Sequence, residues 1–334
     1  MKNKICIGII GAGRIGKLHT ENIINNMHDV YVKWVSDIYI DKMTDWCAQV
    51  GVKNTSADYM DILEDPEVDA VLICSSTDTH AKISIQAAQH KKHIFCEKPI
   101  DLDVAKIKEV EAAVKSAGVK MQVGFNRRYD HNFKRAQERV AAGDIGDVHL
   151  VKITSRDPAP PPIEYVKVSG GLFLDMAIHD FDMARFLSGS EVIEITAKGA
   201  VLIDENIGRE GDVDTAVTML LFENGAMGII DNSRQAVYGY DQRIEVFGSK
   251  GCITAENDYP NTTKLVNIDG VQGDKPKYFF LDRYFESYTG EVKAFIECIK
   301  NDTDPEVGIK DGLNSVVIGL AAKKSLESNS SVKL

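Results

Sequence analysis

The chain predicts an α/β protein in which a doubly wound parallel sheet is followed by an α+β domain with an open, largely antiparallel sheet. Three observations point there. The first 124 residues alternate short apolar runs with amphipathic stretches, a glycine-rich turn closes the first of those runs, and longer β-rich segments replace the alternation after Gly124.

In the first region, strands are expected at Lys4 to Ile10, Tyr31 to Ser36, Val52 to Thr55, Ala70 to Cys74, His93 to Cys96 and Lys120 to Val123. Helical periodicity marks Lys17 to Asn26, Lys42 to Val50, His80 to His90 and Val104 to Ala117. Strand and helix alternate, so the reading is a nucleotide-binding domain over residues 1–124. Residues 125–334 form the second domain. Its strands are expected at Val148 to Ser155, Glu194 to Ile203, Asp212 to Phe222, Ala226 to Gln235, Arg243 to Phe247 and Cys252 to Ala255. Glu223-Asn224-Gly225 and Gly248-Ser249-Lys250-Gly251 are hairpin signals between them. Helices are expected at Phe133 to Ala142, Phe173 to Leu187, Ser287 to Lys300 and Asp311 to Leu326. Pro158-Ala159-Pro160-Pro161-Pro162 reads as a stiff loop inside this domain.

Composition narrows the class. The 334 residues are 44% apolar and 27% charged, with a net charge of -11, as in an ordinary soluble globular protein. Nucleic acid and anionic membrane surfaces would repel that charge at long range. No apolar run approaches the roughly 20 residues of a membrane span. The six cysteines show no CxxC or other metal-like spacing and read as reduced core thiols, so no metal is expected. Ile5 to Ile10 follows Lys2 and Lys4 in the manner of a short export signal, yet it runs straight into the glycine turn without a convincing cleavage site. A cytoplasmic protein is expected.

The turn Gly11-Ala12-Gly13-Arg14-Ile15-Gly16 follows a strand and opens a helix, the context that makes this common pattern informative. Gly11 permits the tight turn, Gly13 lets a pyrophosphate approach the backbone, and Gly16 brings helix and strand together. Asp37 ends the second strand about 20 residues later, where an acid binds the ribose hydroxyls and repels a 2'-phosphate. Ile38-Tyr39-Ile40 offers no arginine to reverse that preference, so NAD is the expected cofactor of a Rossmann domain. Arg14 and Ile15 complete the turn, and Ser75, Thr77 and His80 are placed beside the nicotinamide half together with Glu97 and Lys98. Thr77 or Asp78 as a helix N-cap is an equally good reading of that loop.

Cys96-Glu97-Lys98-Pro99 ends the fifth strand, which aims Lys98 from the carboxyl edge of the sheet, where ligands bind in this architecture. Asp175 and His179 lie four apart on one face of the helix expected over 173–187. Alone, such a pair is more often a surface hydrogen bond. A metal is the weaker alternative, because no third ligand is recognisable.

At these residues the chain resembles the Gfo/Idh/MocA oxidoreductases, over essentially its full length. The resemblance implies that Lys98 hydrogen-bonds the reacting hydroxyl, His179 acts as general base and Asp175 positions substrate and histidine. The lysine charge then favours neutral imidazole near neutral pH. Within the family the chain is most similar to the inositol-oxidising members, on the stretches Gly124 to Asp130, Ser155 to Pro158, Tyr238 to Asp241 and Tyr284 to Tyr288. Asn126, Arg127, Asp157, Tyr238 and Tyr288 are the implied hydroxyl contacts. The implied activity is NAD-dependent oxidation of a cyclic polyol, myo-inositol first, in inositol catabolism. Scyllo-inositol or a pyranose is the alternative, since some members carry His-Arg-Asn-Pro where this chain has Ser155-Arg156-Asp157-Pro158. A non-catalytic sugar sensor on the same fold would not need Lys98, Asp175 and His179 together. The resemblance also implies a homotetramer, with one face of the second sheet covered by helices and the other free for self-association; the alternation at Val213, Ala216, Thr218 and Leu220 is compatible with that, though half-buried strands of a monomer look the same.

Overall fold

Five short, largely apolar segments and one polar one, β3, pair into one parallel sheet: β1 (Ile5–Ile10), β2 (Val30–Ser36), β3 (Asn54–Ser56), β4 (Ala70–Ile73), β5 (His93–Glu97) and β6 (Met121–Gly124). The coordinates are a computed structural model that describes residues 4–334; residues 1–3, including Lys2 and the expected start of the first domain, lie outside the described residues. Strand order is β3-β2-β1-β4-β5-β6, so the winding reverses between β1 and β4. The central strands are buried on both faces, as a sheet covered by helices requires. The third strand lies two residues beyond its expected start, because Val52 is spent as a buried plug before the pairing begins at Trp34 and Asn54.

Residues up to Asn126 group with Glu286–Asn314, so the chain returns to this unit after building the second sheet. The division expected at Gly124 does not contain that return. Its physical reason is the helix Phe285–Asn301, whose Val292, Phe295 and Ile296 pack into one core with Ile7, Ile9, Val35, Leu72 and Phe95.

Arg127–Phe285 and Ser315–Leu334 make the second unit. Its strands are β7 (Val148–Arg156), β8 (Val192–Ala200), β9 (Thr215–Phe222), β10 (Met227–Ser233), β11 (Asp241–Gly248), β12 (Gly251–Ala255) and the two-residue β15 (Val332–Lys333). They lie in the order β12-β11-β7-β10-β9-β8-β15, antiparallel except for β7 beside β10. One face buries Val151, Ile153, Ala216, Leu220, Ile230, Ile244 and Val246. Of the alternating row read in the sequence, Ala216, Thr218 and Leu220 lie on the buried face; the outward residues of β9 are Val217, Met219 and Leu221. A separate hairpin, β13 (Lys264–Asn267) with β14 (Gly270–Gly273), was not expected.

The helix expected over 173–187 is two helices, Leu172–Asp175 and Ile178–Ser188. At the break the Ala177 amide donates to Leu172 O at 2.9 Å, one residue further back than helical pairing, and Asp180 donates to Ala177 O at 2.9 Å, one residue closer. Asp175 and His179 therefore flank a joint in the backbone and do not share one continuous helical face. The second helix starts with Ile178 and Phe181 fully buried, so packing of that apolar side dictates the new start.

Candidate active site

In the first unit the glycine turn, Asp37, Ser75 and Lys98 all follow carboxyl ends of parallel strands. Gly11 sits at the reversal between β1 and β4 with φ +92, and a Cβ there would lie 2.5 Å from the Ser75 amide nitrogen. A Cβ on Gly16 would lie 1.9 Å from Gly11 O, which is why the helix Arg14–Asn26 can start so close to the strand. Gly13 differs from both, since a Cβ there would meet nothing within 4 Å and the backbone presents an open face. Gly13 caps the helix without a side-chain hydrogen bond, and the first turn carries no acid. These are the conditions under which a helix start receives an anion. Arg14 is exposed and Ile15 half-buried beside it.

Asp37 accepts from the Ala12 amide at 2.8 Å through one oxygen and from the Tyr39 amide at 2.8 Å through the other. It thus ties the glycine turn to the end of β2, and each oxygen retains acceptor capacity for a hydroxyl. The residues present fit a dinucleotide held at the phosphates by the turn and at the adenosine ribose by Asp37. The loop after β4 differs from its N-cap reading: the helix already starts at Thr77, Ser76 occupies the cap position, and no side chain caps it. Ser75 instead bonds Thr79 Oγ1 at 2.7 Å. His80 is buried with both ring nitrogens on backbone carbonyls.

Glu97 and half-buried Lys98 close β5. Glu97 takes a 2.9 Å hydrogen bond from His19 Nε2, and Glu291 lies 3.8 Å from the same nitrogen. Glu291 is fully buried with neither oxygen hydrogen-bonded among the described residues. Burial and the nearby Glu97 charge push its carboxyl well above the usual range, which makes it a neutral acid. Tyr288 stands edge-on to the His19 ring at 5.7 Å and belongs to this unit, as does Asn126, which is 2% exposed.

In the second unit one residue absent from the sequence reading organises the site. Arg234 bonds Asp175 Oδ2 at 3.1 Å and Asp157 Oδ2 at 3.3 Å, and Tyr165 donates to Asp175 Oδ1 at 2.8 Å. The side chains of Arg234, Asp175 and Asp157 are 4%, 11% and 23% exposed. Desolvation raises the Asp157 pKa against the pull of Arg234, and the Asp175 charge adds to the rise. The signal was present in the alternation, because Gly228, Ile230, Asn232 and Arg234 fall on the buried parity of β10 and its continuation. An arginine on a buried parity demands acids. His179 is half-buried in the same unit, four residues beyond Asp175.

Arg127 and Tyr238 engage elsewhere. Arg127 is 4% exposed, forms a buried ion pair with Asp180 and reaches Ser155 Oγ and Tyr240 OH at 3.4 Å. Asp180 also accepts from Asn232 at 2.8 Å, so this network holds the helix Ile178–Ser188 against β7 and β10. Tyr238 is 40% exposed and donates to Asp241 while accepting from Arg156 at 3.2 Å. Asp175 and His179 belong to no trio of His, Cys, Asp or Glu ligand atoms; among the described residues His19, Glu97 and Glu291 form the one such trio.

A phosphate-ready turn at the winding reversal, an acid closing the second strand, and a second unit presenting paired carboxylates near a histidine define a dinucleotide-dependent oxidoreductase. The chain belongs to the GFO/IDH/MocA family: residues 5–125 match the oxidoreductase family's NAD-binding Rossmann fold, and residues 133–254 match the GFO/IDH/MocA C-terminal domain. Its cofactor is NAD. The chain is 52% identical to the myo-inositol 2-dehydrogenase of Thermotoga maritima, with 98% of each chain covered. It is 43% identical to the inositol 2-dehydrogenase of Rhizobium meliloti, with 96% of each covered. The solved structure of scyllo-inositol dehydrogenase from Lactobacillus casei, with NAD(H) and scyllo-inositol bound, superposes with a TM-score of 0.92 at 30% identity, covering 99% of each chain.

Proposed function

We propose that this chain oxidises one secondary hydroxyl of a cyclic polyol, with myo-inositol as the first substrate and 2-keto-myo-inositol as the product. The observation that carries the reading is Arg234 holding Asp157 and Asp175 side by side. Two tethered carboxylates, already bonded to Arg234 and Tyr165, keep spare lone pairs that form a row of acceptors for adjacent ring hydroxyls, which a ligand with few hydroxyls would leave unused. Names of the full-length relatives support the same substrate class. Scyllo-inositol is the second reading, favoured by the likeness to the Lactobacillus casei enzyme.

NAD, when bound, accepts the hydride from the carbinol carbon, and that chemistry is its own. The chain's part is orientation and proton handling. Gly11, Gly13, Arg14, Ile15, Gly16 and Asp37 hold the adenosine and phosphate portion; Ser75, Thr77 and Glu97 border the other half. Lys98 hydrogen-bonds the reacting oxygen, and His179 removes its proton. Asp175, oriented by Arg234 and Tyr165, fixes the neighbouring hydroxyl. Asp157 and Asn126 add contacts, while Arg127, Tyr238 and Tyr288 act behind them by holding the elements that carry the site. Cytoplasmic inositol catabolism is the setting that suits an NAD-linked oxidation of this kind.

Self-association through the outward face of the second sheet, to a homotetramer, completes the reading. Val217, Met219 and Leu221 of β9 and Met227 and Ile229 of β10 are 36% to 56% exposed, with Met219 opposite Ile229 and Leu221 opposite Met227. Apolar side chains on both faces of a strand are costly in a monomer. Initial rates of NADH formation across myo-inositol, scyllo-inositol, glucose and lactate test the function: an inositol is expected to lead, and lactate ahead of every cyclic polyol would refute it.

A further inference from the structure

His80 is 1% exposed, with Nδ1 2.7 Å from Pro99 O and Nε2 3.0 Å from Ser75 O. Carbonyl oxygens only accept. A neutral imidazole carries one N–H and one lone pair, so in either tautomer one of these two contacts opposes lone pair to lone pair; the imidazolium, with two N–H groups, satisfies both. We propose that His80 is a buried cation that clamps the turn after β4 to the segment after β5, and so acts as a positioning residue for Lys98.

The geometry supports this beyond the ring itself. Ser75 and Pro99 follow neighbouring strands of the sheet, and Pro99 is the residue next to Lys98, so the two hydrogen bonds close a bridge directly behind the proposed proton-handling group. Ser75 also abuts Gly11, which extends the clamp to the phosphate turn. Burial by itself would strip the charge from a histidine. Here the Cys96 sulfur on β5 and the two carbonyl acceptors, which bond only N–H groups, outweigh that, and the His80 pKa is raised to about 9 although Cys96 keeps its proton and donates it to Glu97 O at 3.3 Å. With both nitrogens committed to the backbone, the ring has no donor left for the dinucleotide. That separates it from Ser75 and Thr77, the cofactor-side members of the same loop.

The charge assignment stands on the first unit alone; the effect on turnover rests on the role given to Lys98 above. The test uses the full chain with NAD, labelled with nitrogen-15 in histidine only, and compares its ring signals with those of His80→Gln to assign them. Both His80 nitrogens are expected as N–H near neutral pH, titrating together at about pH 9; a neutral tautomer near neutral pH overturns the proposal. In steady-state assays with myo-inositol and NAD, His80→Gln is expected to lower kcat by about 10- to 100-fold, the scale of a misplaced catalytic group, with a much smaller loss of NAD affinity. An unaltered kcat, or NAD affinity falling as far as kcat, overturns the positioning role. Should the Gln variant fail to fold, a neutron structure of the unaltered protein decides the point, since deuterium on one ring nitrogen only contradicts the clamp and deuterium on both supports it. A charged ring in a protein that turns over no polyol would count against the substrate reading and leave the clamp intact.

Discussion

Arg234 Nη2 lies 3.1 Å from Asp175 Oδ2, and this single ion pair couples the end of β10 to the residue that closes the short helix Leu172–Asp175. The same guanidinium holds Asp157 at 3.3 Å, so one arginine sets the spacing of two acids. Arg234→Ala should therefore cost both stability and activity. Removing one partner of a buried pair typically costs about 3 to 5 kcal/mol, because the remaining charge is stranded. Thermal unfolding should show a clear drop, and kcat/KM for inositol should fall more than NAD affinity does. An active, fully stable Ala variant would mean that the pair is incidental.

Asp157→Asn keeps the shape and removes one acceptor charge. It should change the ratio of rates on myo- and scyllo-inositol more than it changes NAD affinity. Steady-state rates on the two isomers check this, and an indifferent ratio removes Asp157 from the substrate side.

Replacing Asp37 by Ala removes a ribose acceptor and a repulsive charge together, and also frees the Ala12 amide it holds at 2.8 Å. Use of NAD should weaken and discrimination against NADP should relax. Initial rates with both cofactors decide it; an unaltered preference would take Asp37 out of the adenosine site.

Lys98→Ala and His179→Ala should each depress turnover by about 10²- to 10⁴-fold, the usual weight of a general acid or base, while NAD binding measured by calorimetry stays close to that of the parent. Near-parental oxidation rates in both folded variants would contradict the proton roles.

Two buried groups make stability depend on pH in the same direction. His80 has its folded pKa raised to about 9, so its contribution is complete below the unfolded histidine pKa near 6.5 and is lost as pH rises through about 9. Glu291 is an acid with a raised folded pKa, so the folded state binds a proton that the unfolded chain releases, and stability falls as pH climbs above the ordinary carboxylate range. Thermal midpoints should decline from weakly acidic to alkaline pH. Glu291→Gln, which keeps the neutral shape, should raise the midpoint at neutral pH and flatten part of that slope; a lower midpoint there would show that Glu291 is needed as a carboxylate.

Much of the first unit was legible because its signals are local: a strand, a glycine turn, a helix, and an acid at the next strand end. The helix Val104–Ala117 falls where its periodicity placed it, closed by Gly118 in the left-handed conformation. What was not legible depends on tertiary context. The helix Phe285–Asn301 is amphipathic wherever it packs, and nothing in its pattern says which sheet its Val292 and Phe295 will meet. The joint at Met176 and Ala177 contains neither glycine nor proline, so no breaker announces it. The hairpin β13–β14 is exposed on both faces and so lacks the alternation that marks a strand. Arg234 was missed because a lone arginine at a strand end ordinarily reads as a solvated charge, and only its parity tells otherwise.

The central claim is that this chain moves a hydride from a ring carbinol of inositol to NAD, and deuterium tracing tests it most directly. Myo-inositol deuterated at the carbinol carbon to be oxidised, incubated with the enzyme and NAD, should yield NADH carrying that deuterium together with the corresponding keto-inositol, in equal amounts. Reduced cofactor without deuterium, or no reduced cofactor from any inositol isomer, would contradict the account.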